Sequence, residues 1–221
     1  MCEACWRAIR HFTPPLCLAC GDPVLSHGTA WSRVCPHCRG QHRAVARARA
    51  IGPYDGRLRD LIHAIKYDKR RTLSRPLAAL LHDAGRDVLD GADAIVPVPL
   101  HWTRRHQRGF NQAALLAAGL GLPVVHALRR ARRTRSQVEL PAGDRHRNVR
   151  GAFSVAWRYR WTWPSRIRRA AIRDPAGLVV VLVDDVSTTG ATLDTCASVL
   201  LEAGVREVRF RTLARVPSRA P

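Results

Sequence analysis

The chain has 221 residues, which is enough for one α/β domain and a small additional module. It carries 37 basic and 17 acidic residues, a net charge of +20, and only Lys66 and Lys69 among the basic residues are lysines. This charge favours polyanionic partners such as nucleic acid or a ligand with several phosphates, although an arginine- and alanine-rich composition is also typical of a GC-rich genome. No apolar run approaches the ~20 residues of a membrane span, and the first residues lack the basic start and apolar core of a signal peptide. We therefore expect a cytoplasmic protein with no membrane insertion.

Six of the seven cysteines lie near the amino terminus in three C-x-x-C pairs. In a cytosolic protein this pattern favours metal binding over disulfides. Two such pairs complete a tetrahedral zinc site, and the site is structural because four thiolates leave no open coordination position. The spacing favours a single Zn²⁺ bound by Cys17, Cys20, Cys35 and Cys38.

The third pair, Cys2 and Cys5, is left without an assigned partner. It could bind a second ion together with His11 or His27, or it could stay idle. It could also lack a partner that lies upstream, as it would if the start of the chain were placed too late. We assign residues 1–42 to a zinc-ribbon module on the strength of the other two pairs.

The larger domain is predicted over residues 43–216. Residues 43–50 are predicted to form a basic link. Apolar residues at helical spacing then predict one helix that ends near Lys66 and a second helix over residues 73–89, with Ser74 as its N-terminal cap.

Residues 94–99 are predicted to form a buried strand that ends in prolines. A basic loop with Arg104, Arg105 and Arg108 follows and precedes a helix predicted over residues 113–120. A basic loop between the carboxyl end of a strand and a helix is a second candidate anion site, although the arginines could equally form a solvated loop. Residues 122–125 predict a further short strand.

Two arginine-rich segments come next. Residues 129–137, which include Arg130 and Arg132, carry too many charges for a core and could fold over a diphosphate or lie against nucleic acid. Residues 155–173 alternate aromatic residues with arginines. This alternation suits stacking with single-stranded nucleic acid, but it is equally typical of an exposed edge hairpin, and we favour a hairpin or mobile arm over residues 157–173.

The stretch from Val179 to Leu193 is the most informative part of the sequence. An unbroken aliphatic run over residues 179–183 predicts a strand buried on both faces of a parallel sheet. Asp184 and Asp185 follow where this strand is expected to end, and a helix is predicted further on. The turn before that helix consists of small and hydroxyl residues, namely Ser187, Thr188, Thr189, Gly190, Ala191 and Thr192. A final strand is predicted over residues 205–213.

This arrangement favours a sugar phosphate. Small residues let backbone N–H groups approach a phosphate, and the helix N-terminus adds partial positive charge. The two carboxylates can accept hydrogen bonds from a ribose diol and hold negative charge beside a cation at the anomeric carbon. The plainer alternative is a buried strand with an ordinary Asp-Asp turn and a Ser/Thr helix cap.

The Val179–Leu193 stretch resembles the ribose-phosphate signature of type I phosphoribosyltransferases. With the cysteine pairs and further motifs, the chain resembles the ComF family over nearly its whole length. These motifs are residues 95–99, residues 108–112, Arg132 to Gln137, Arg145 with Asn148, and Phe153. The resemblance implies an α/β fold, in which a type I phosphoribosyltransferase-like parallel sheet is flanked by helices and carries a small N-terminal zinc-ribbon module. It also implies a role in natural competence, specifically in handling incoming single-stranded DNA.

Two features depart from the pattern of the family. Its members often carry four cysteine pairs, whereas this chain has three. The segment over residues 157–173 also looks longer than the family usually allows, so no role is carried over to it.

The first functional hypothesis is a phosphoribosyltransferase that binds 5-phosphoribosyl diphosphate with Mg²⁺ and acts on an unknown acceptor. Residues 187–192 would hold the 5-phosphate, and Asp184 and Asp185, the candidate catalytic residues, would meet the ribose hydroxyls. Catalysis would be mainly positional and electrostatic. The diphosphate would contact basic side chains, namely Lys66, Arg104, Arg105, Arg108, Arg130 and Arg132.

The second hypothesis is a non-catalytic protein of the transformation machinery. The chain would keep the fold but bind single-stranded DNA during uptake, as its charge and its arginine- and tryptophan-rich segment indicate. The third hypothesis is an adaptor protein whose zinc ribbon binds a DNA translocase or helicase.

Overall fold

A computed structural model of the protein describes residues 2–24, 34–41, 43–130, 151–156 and 177–217. The strands in these ranges are β1 Arg47–Pro53, β2 Ala94–Pro97, β3 Leu128–Arg130, β4 Phe153–Val155, β5 Val179–Ser187 and β6 Glu207–Arg215. Four of them form a parallel sheet in the order β1-β6-β5-β2, and β3 pairs antiparallel with β4. The parallel sheet predicted from the sequence is therefore confirmed.

Helices flank this sheet, as expected. The described helices are α1 Glu3–Arg7, α2 Gly56–Lys66, α3 Ser74–Asp83, α4 Arg86–Leu89, α5 Trp102–Arg108, α6 Gln112–Ala117 and α7 Ala191–Glu202, with a 3₁₀ turn at Arg71–Leu73. The longest of them, α7, has 12 residues. Among the described helices, none has the length and apolar character that crossing a membrane requires.

Strand β5 is covered on both sides, which explains its unbroken aliphatic sequence. Val180 and Leu182 belong to a core that includes Leu200 of α7. Val181 and Val183 belong to a second core, built with apolar residues of α2, α3 and α6. These four residues of β5 are fully shielded from solvent. A strand buried on both faces needs no polar alternation, because neither face meets water.

The carboxyl end of β5 lies further along the chain than the sequence predicts. Its pairing with β6 continues to Ser187, which lies opposite Arg215, and Asp184 lies opposite Thr212. Asp184 and Asp185 are therefore part of the strand and do not follow it. The strand is extended because β6, predicted to end at residue 213, continues to Arg215 and supplies backbone partners.

The prediction of a basic link over residues 43–50 is wrong for its second half, because β1 begins at Arg47. The charges of β1 are accommodated by α4. Arg49 Nη2 lies 2.9 Å from Asp87 Oδ2, and Arg47 Nη1 donates to the carbonyl oxygen of Asp87 at 3.1 Å. This strand of the sheet can therefore carry arginines, because the carboxylate and the backbone carbonyl of Asp87 bind their guanidinium groups.

The single helix predicted over residues 73–89 is broken into α3 and α4. The break lies at Gly85, where the guanidinium of Arg211 occupies the space of a side chain, 1.5 Å from the position a Cβ would take. Ser74 does not cap α3 as predicted. Its Oγ donates to the carbonyl oxygen of Arg71 at 2.6 Å, and the 3₁₀ turn leads directly into the helix.

Two further predictions need correction near β2. The basic segment predicted as a loop is the helix α5, and the helix after it covers Gln112–Ala117, shorter than predicted. Residues 122–125 form a single parallel bridge, Ile95 with Val124, in place of a strand. The side chain of Asn111 caps α6 by accepting from Ala113 N at 3.1 Å, so this helix start is satisfied by the protein itself.

The cysteine-rich segment packs against β1. Gly21 has a φ of +77°, and a Cβ there would lie only 2.6 Å from the carbonyl oxygen of Ala48. Arg49 Nη1 donates to the carbonyl oxygen of Cys17 at 3.1 Å. The module boundary at residue 42 stays a prediction. The predicted arm over residues 157–173 lies outside the described residues.

Candidate functional site

The carboxylate pair of β5 lies at the carboxyl edge of the sheet, where open α/β sheets bind ligands. Lys66, the last residue of α2, extends to it, and its Nζ lies 2.8 Å from Oδ1 of Asp185. Both side chains of this ion pair are largely buried, at 14% and 13% exposure. Asp184 Oδ1 accepts the backbone N–H of Asp185 at 2.8 Å. We refer to Lys66, Asp184 and Asp185 as the carboxylate cluster.

Burial sets the protonation of this cluster. Burial, and then the negative charge of Asp185, raise the pKa of Asp184 to about 7, while the positive charges of Lys66 and Arg130 oppose the shift. Burial lowers the pKa of Lys66, but the charge and hydrogen bond of Asp185 outweigh it and hold the pKa above its ordinary value. Lys66 therefore stays positively charged, whereas the side chain of Asp184 changes its protonation state near neutral pH.

One of the predicted diphosphate arginines, Arg130, lies close enough to Asp184 for their charges to interact, and a second, Arg104, lies near Arg130. Burial lowers the pKa of Arg130, the positive charge of Arg104 lowers it further, and Asp184 opposes both. The guanidinium of Arg130 also lies 5.2 Å from the centre of the Phe153 ring, a cation–π contact that fixes its position. Lys66 and Arg130 thus lie near Asp184, and with Arg104 next to Arg130 they form what we call the positive rim.

The other predicted diphosphate arginines are not part of this rim. Arg105 is exposed on α5. Arg108 donates to Gln112 Oε1 at 3.2 Å and lies over the ring of Tyr67 at 5.6 Å. Arg132 lies outside the described residues.

The predicted phosphate loop joins β5 to α7. Gly190 has a φ of +85°, a conformation that favours glycine, and it immediately precedes the first turn of α7. The backbone N–H of Ala191 donates to Thr189 Oγ1 at 3.4 Å, which is a weak contact. Ser187 is 3% exposed, and its Oγ accepts from Arg215 Nη1 at 3.3 Å. Its hydroxyl is thus held by the protein, while the loop after it turns into the helix start.

Two residues at this loop were not identified from the sequence. A Cβ placed on Gly190 would lie 3.4 Å from Nη1 of Arg43, so this guanidinium lies directly against the loop. Arg215 reaches the start of the loop through Ser187 and is itself paired, Nε to Oδ1, with Asp22 at 2.6 Å. No spacing rule singles out Arg43 among the arginines around it, and only the folded chain brings these residues together.

The four cysteines predicted to share a metal ion form one buried cluster. The Sγ atoms of Cys17, Cys20, Cys35 and Cys38 all lie within 4.8 Å of one another. The Sγ atoms of Cys20 and Cys35 are 3.7 Å apart. A tetrahedron with zinc–sulfur bonds of about 2.3 Å has sulfur–sulfur edges of about 3.8 Å, so the cluster fits zinc. Zinc bound there would hold the ribbon's two turns together.

The third cysteine pair lies apart from this cluster. The Sγ atoms of Cys2 and Cys5 are 3.4 Å apart at the start of the short helix α1, and Cys2 is exposed. Within the described residues they belong to no group of three or more metal ligands. His11 is among those residues and His27 is not, so a second ion with His11 finds no support.

Together these groups can bind an anion with a neighbouring diol. The rim offers positive charge, the loop offers backbone donors at a helix start, and Asp184 and Asp185 offer acceptors between them. One carboxylate is already neutralised by Lys66, so an incoming anion meets less repulsion than two free carboxylates would cause.

Comparisons with known proteins found a domain match and several relatives. A family model described as the phosphoribosyl transferase domain matches residues 106–221. Competence protein F of Haemophilus influenzae is 33% identical over 225 aligned residues, which cover 97% of this chain and 90% of that protein. DNA utilization protein YhgH of Salmonella typhimurium is 34% identical with the same two coverages. Competence protein ComFC of Bacillus subtilis is 26% identical, over 92% of this chain and 79% of that protein.

Proposed function

Because the chain belongs to the ComF family and its residues 106–221 match the phosphoribosyl transferase domain, we propose that it binds 5-phosphoribosyl diphosphate together with Mg²⁺. The observation that carries the proposal is the carboxylate cluster beside the β5–α7 loop. The two carboxylates can accept hydrogen bonds from the ribose, the loop is a turn of the size that a phosphate needs, and the rim supplies positive charge.

Each part of the ligand is assigned to residues of this edge. The 5-phosphate is assigned to the loop and helix start over residues 188–192, with Ser187 anchoring the loop to Arg215. The ribose hydroxyls are assigned to Asp184 and Asp185. The diphosphate is assigned to the rim of Lys66, Arg104 and Arg130, and bound Mg²⁺ would neutralise part of its charge.

Transfer of the ribosyl group would break the bond between the anomeric carbon and the diphosphate oxygen and form one to the acceptor. The electron pair of the broken bond leaves with the diphosphate, where the arginines and Lys66 stabilise the added charge. Asp184, when ionised, stabilises the positive charge that develops on the sugar. These residues contribute by orientation and electrostatics, and none of them is assigned as a general base.

Isothermal titration tests the proposal. The wild-type chain is expected to bind 5-phosphoribosyl diphosphate only when Mg²⁺ is present. Asp184→Asn should weaken binding at least about tenfold, because it removes the charge that accepts the ribose hydroxyl. The exposed Asp60→Asn is the matched control and should bind as the wild type does. Absence of magnesium-dependent heat in the wild type would refute the function.

A second candidate function, binding of single-stranded DNA, is favoured by exposed aromatic residues near the same edge. Tyr67, which follows Lys66, is 63% exposed, and Trp102 is 70% exposed. Arg108 ends the helix that Trp102 begins and lies over the Tyr67 ring. Aromatic rings interleaved with arginines stack bases and contact phosphates. The relatives named for competence and DNA utilization support this partner.

A salt titration with an oligodeoxynucleotide measures this activity. The logarithm of the association constant should fall linearly with the logarithm of salt concentration, by about 0.7 for each phosphate neutralised. Trp102→Ala should weaken binding about tenfold, since one stacked base is worth about 1–3 kcal/mol. The exposed Val216→Ala serves as the control. No binding at low salt would remove this candidate, and displacement of DNA by the sugar diphosphate would show that the two ligands share the edge.

A further inference from the structure

We propose that Arg43, which enters the site from the cysteine-rich side of the fold, binds the 5-phosphate of the sugar ligand and so completes the β5–α7 loop as a phosphate site. This inference rests on the proposed function and adds a residue to it. If Arg43 binds the phosphate, the side of the molecule that carries the zinc ribbon lines part of the ligand site.

The position of the guanidinium is the first argument. Nη1 of Arg43 lies 3.4 Å from where a Cβ of Gly190 would be, so it covers the turn that precedes α7. The same point lies 3.8 Å from Oδ2 of Asp194 in the first turn of α7, so a cation and a carboxylate flank the turn. Because Gly190 has no side chain, the space between the arginine and the backbone N–H groups stays open to an oxygen ligand.

The unmet hydrogen bonding of Arg43 is the second argument. Its Nε is shielded from solvent and has no hydrogen-bond partner among the described residues. Its Nη2 lies 3.4 Å from Gln41 Oε1, the long limit for such a bond. A buried guanidinium nitrogen without an acceptor is costly, and a phosphate can offer two oxygens in the fork geometry that arginine favours. The Nε of Arg43 is therefore available to an anion, since no described residue accepts a hydrogen bond from it.

Arg43 follows the cysteine cluster closely in the chain. It lies five positions after Cys38. The opposite end of the loop has a similar connection. Asp22, two residues after Cys20, pairs with Arg215, and Arg215 donates to Ser187. Each end of the phosphate loop thus lies against an arginine, Arg43 or Arg215, that is connected to the metal-binding turns by the chain or by an ion pair.

The experiment compares two probes on the full-length, zinc-loaded protein by isothermal titration. Ribose 5-phosphate reports on the 5-phosphate site, and inorganic diphosphate with Mg²⁺ reports on the arginine rim. Arg43→Ala should weaken ribose 5-phosphate about 10- to 100-fold, the loss of one charge-assisted hydrogen-bonded pair, and change diphosphate affinity less than about twofold. Arg43→Lys should restore part of the loss, since it keeps the charge without the fork.

The matched control is Arg39→Ala, which removes the same charge from an exposed position beside Cys38. It should leave the affinities for both probes unchanged. Zinc content and melting temperature are measured for every variant, and Arg43→Ala is expected to match the wild type in both.

Each contrary outcome has a distinct meaning. If the wild type binds diphosphate and ribose 5-phosphate but Arg43→Ala behaves as Arg39→Ala does, the inference about Arg43 is wrong and the proposed function stands. If Arg43→Ala weakens both probes equally or releases zinc, Arg43 supports the fold and is not a phosphate ligand. If the wild type binds neither probe, the proposed function fails and the inference fails with it.

Discussion

Asp184 is the residue of the site whose charge changes in the physiological pH range. Burial raises its pKa to about 7, so both the neutral acid and the carboxylate are accessible near neutral pH. The neutral acid can donate one hydrogen bond to a ribose oxygen, whereas the carboxylate can only accept. Because the group is buried, its ionisation in the absence of a ligand lowers the free energy of unfolding.

The pH dependence of stability follows from this shift. The folded-state pKa of about 7 lies above the ~3.9 of an unfolded chain, so between these values the folded state binds more protons. Rising pH therefore lowers the free energy of unfolding in this window. Asn at position 184 cannot ionise. The stability of Asp184→Asn relative to the wild type should increase by about 1 kcal/mol from pH 6 to pH 8, as measured by urea denaturation with zinc present.

The control for this prediction is Asp60→Asn, which removes an exposed carboxylate. Its stability relative to the wild type should be the same at both pH values. A pH-independent difference for Asp184→Asn would show that ionisation of Asp184 carries no folding cost.

At the level of elements, the β5–α7 unit could be predicted from the sequence and β1 could not. The information for residues 179–183 of β5 is local, since an unbroken run of β-branched and aliphatic residues is typical of a strand buried on both faces. The arginines of β1 can lie in a sheet because they contact Asp87, about 40 positions away. A pattern within a short stretch of sequence does not include this contact. The break at Gly85 likewise depends on Arg211 from the far end of the chain.

The candidate site divides in the same way. Asp184, Asp185 and the loop after them are contiguous, so their chemistry could be predicted together. The pairing of Lys66 with Asp185 joins two distant segments, and it could be anticipated only as one basic residue among several. Arg43 carried no local signal, because its role depends on how the cysteine-rich segment packs against the sheet.

Arg211 of β6 leads to a prediction about the stability of the sheet. It is fully buried, and none of its three guanidinium nitrogens has a hydrogen-bond partner among the described residues. Burial lowers its pKa to about 10, with Asp87 opposing and Arg49 reinforcing the shift. Arg211→Met should raise the free energy of unfolding by about 1–3 kcal/mol in urea denaturation, because a poorly compensated buried charge is replaced by an apolar side chain.

Arg209→Met provides the comparison on the same strand. Arg209 pairs with Glu207 and donates to the carbonyl oxygen of Asp90, both at 2.6 Å, so its loss leaves acceptors without donors. This variant should lose about 1–3 kcal/mol of stability. Destabilisation of both variants to the same extent would mean that Arg211 has partners of equal value.

For the whole molecule, the ribbon and the sheet form a continuous structure at the ligand edge. The buried Asp22–Arg215 pair and the contact of Gly21 with β1 join the cysteine cluster to strands at both ends of the larger domain. Loss of the metal should therefore affect the stability of the whole fold and reach beyond the first 40 residues.

Metal analysis tests this view. The purified chain should contain about one zinc per molecule, and the double variant Cys2→Ser/Cys5→Ser should keep it. The double variant Cys17→Ser/Cys20→Ser should lose it. Its melting temperature should fall by about 4–8 °C, the change expected for a loss of about 2 kcal/mol in a chain of this size. Two zinc ions per chain, or loss of zinc on changing Cys2 and Cys5, would contradict the assignment.

The strand order has a consequence for the protein's biosynthesis. Strand β6 lies between β1 and β5, although it is the last strand of the described chain to leave the ribosome. At about 5–20 residues per second, the 160 positions from Arg47 to Glu207 take on the order of ten to thirty seconds to translate. During that time β1 lacks β6, its only neighbour in the sheet among the described strands, whereas the cysteine turns, being close in sequence, can already bind zinc. The nascent chain would thus hold a folded ribbon first and complete both the sheet and the ligand edge only at the end of translation.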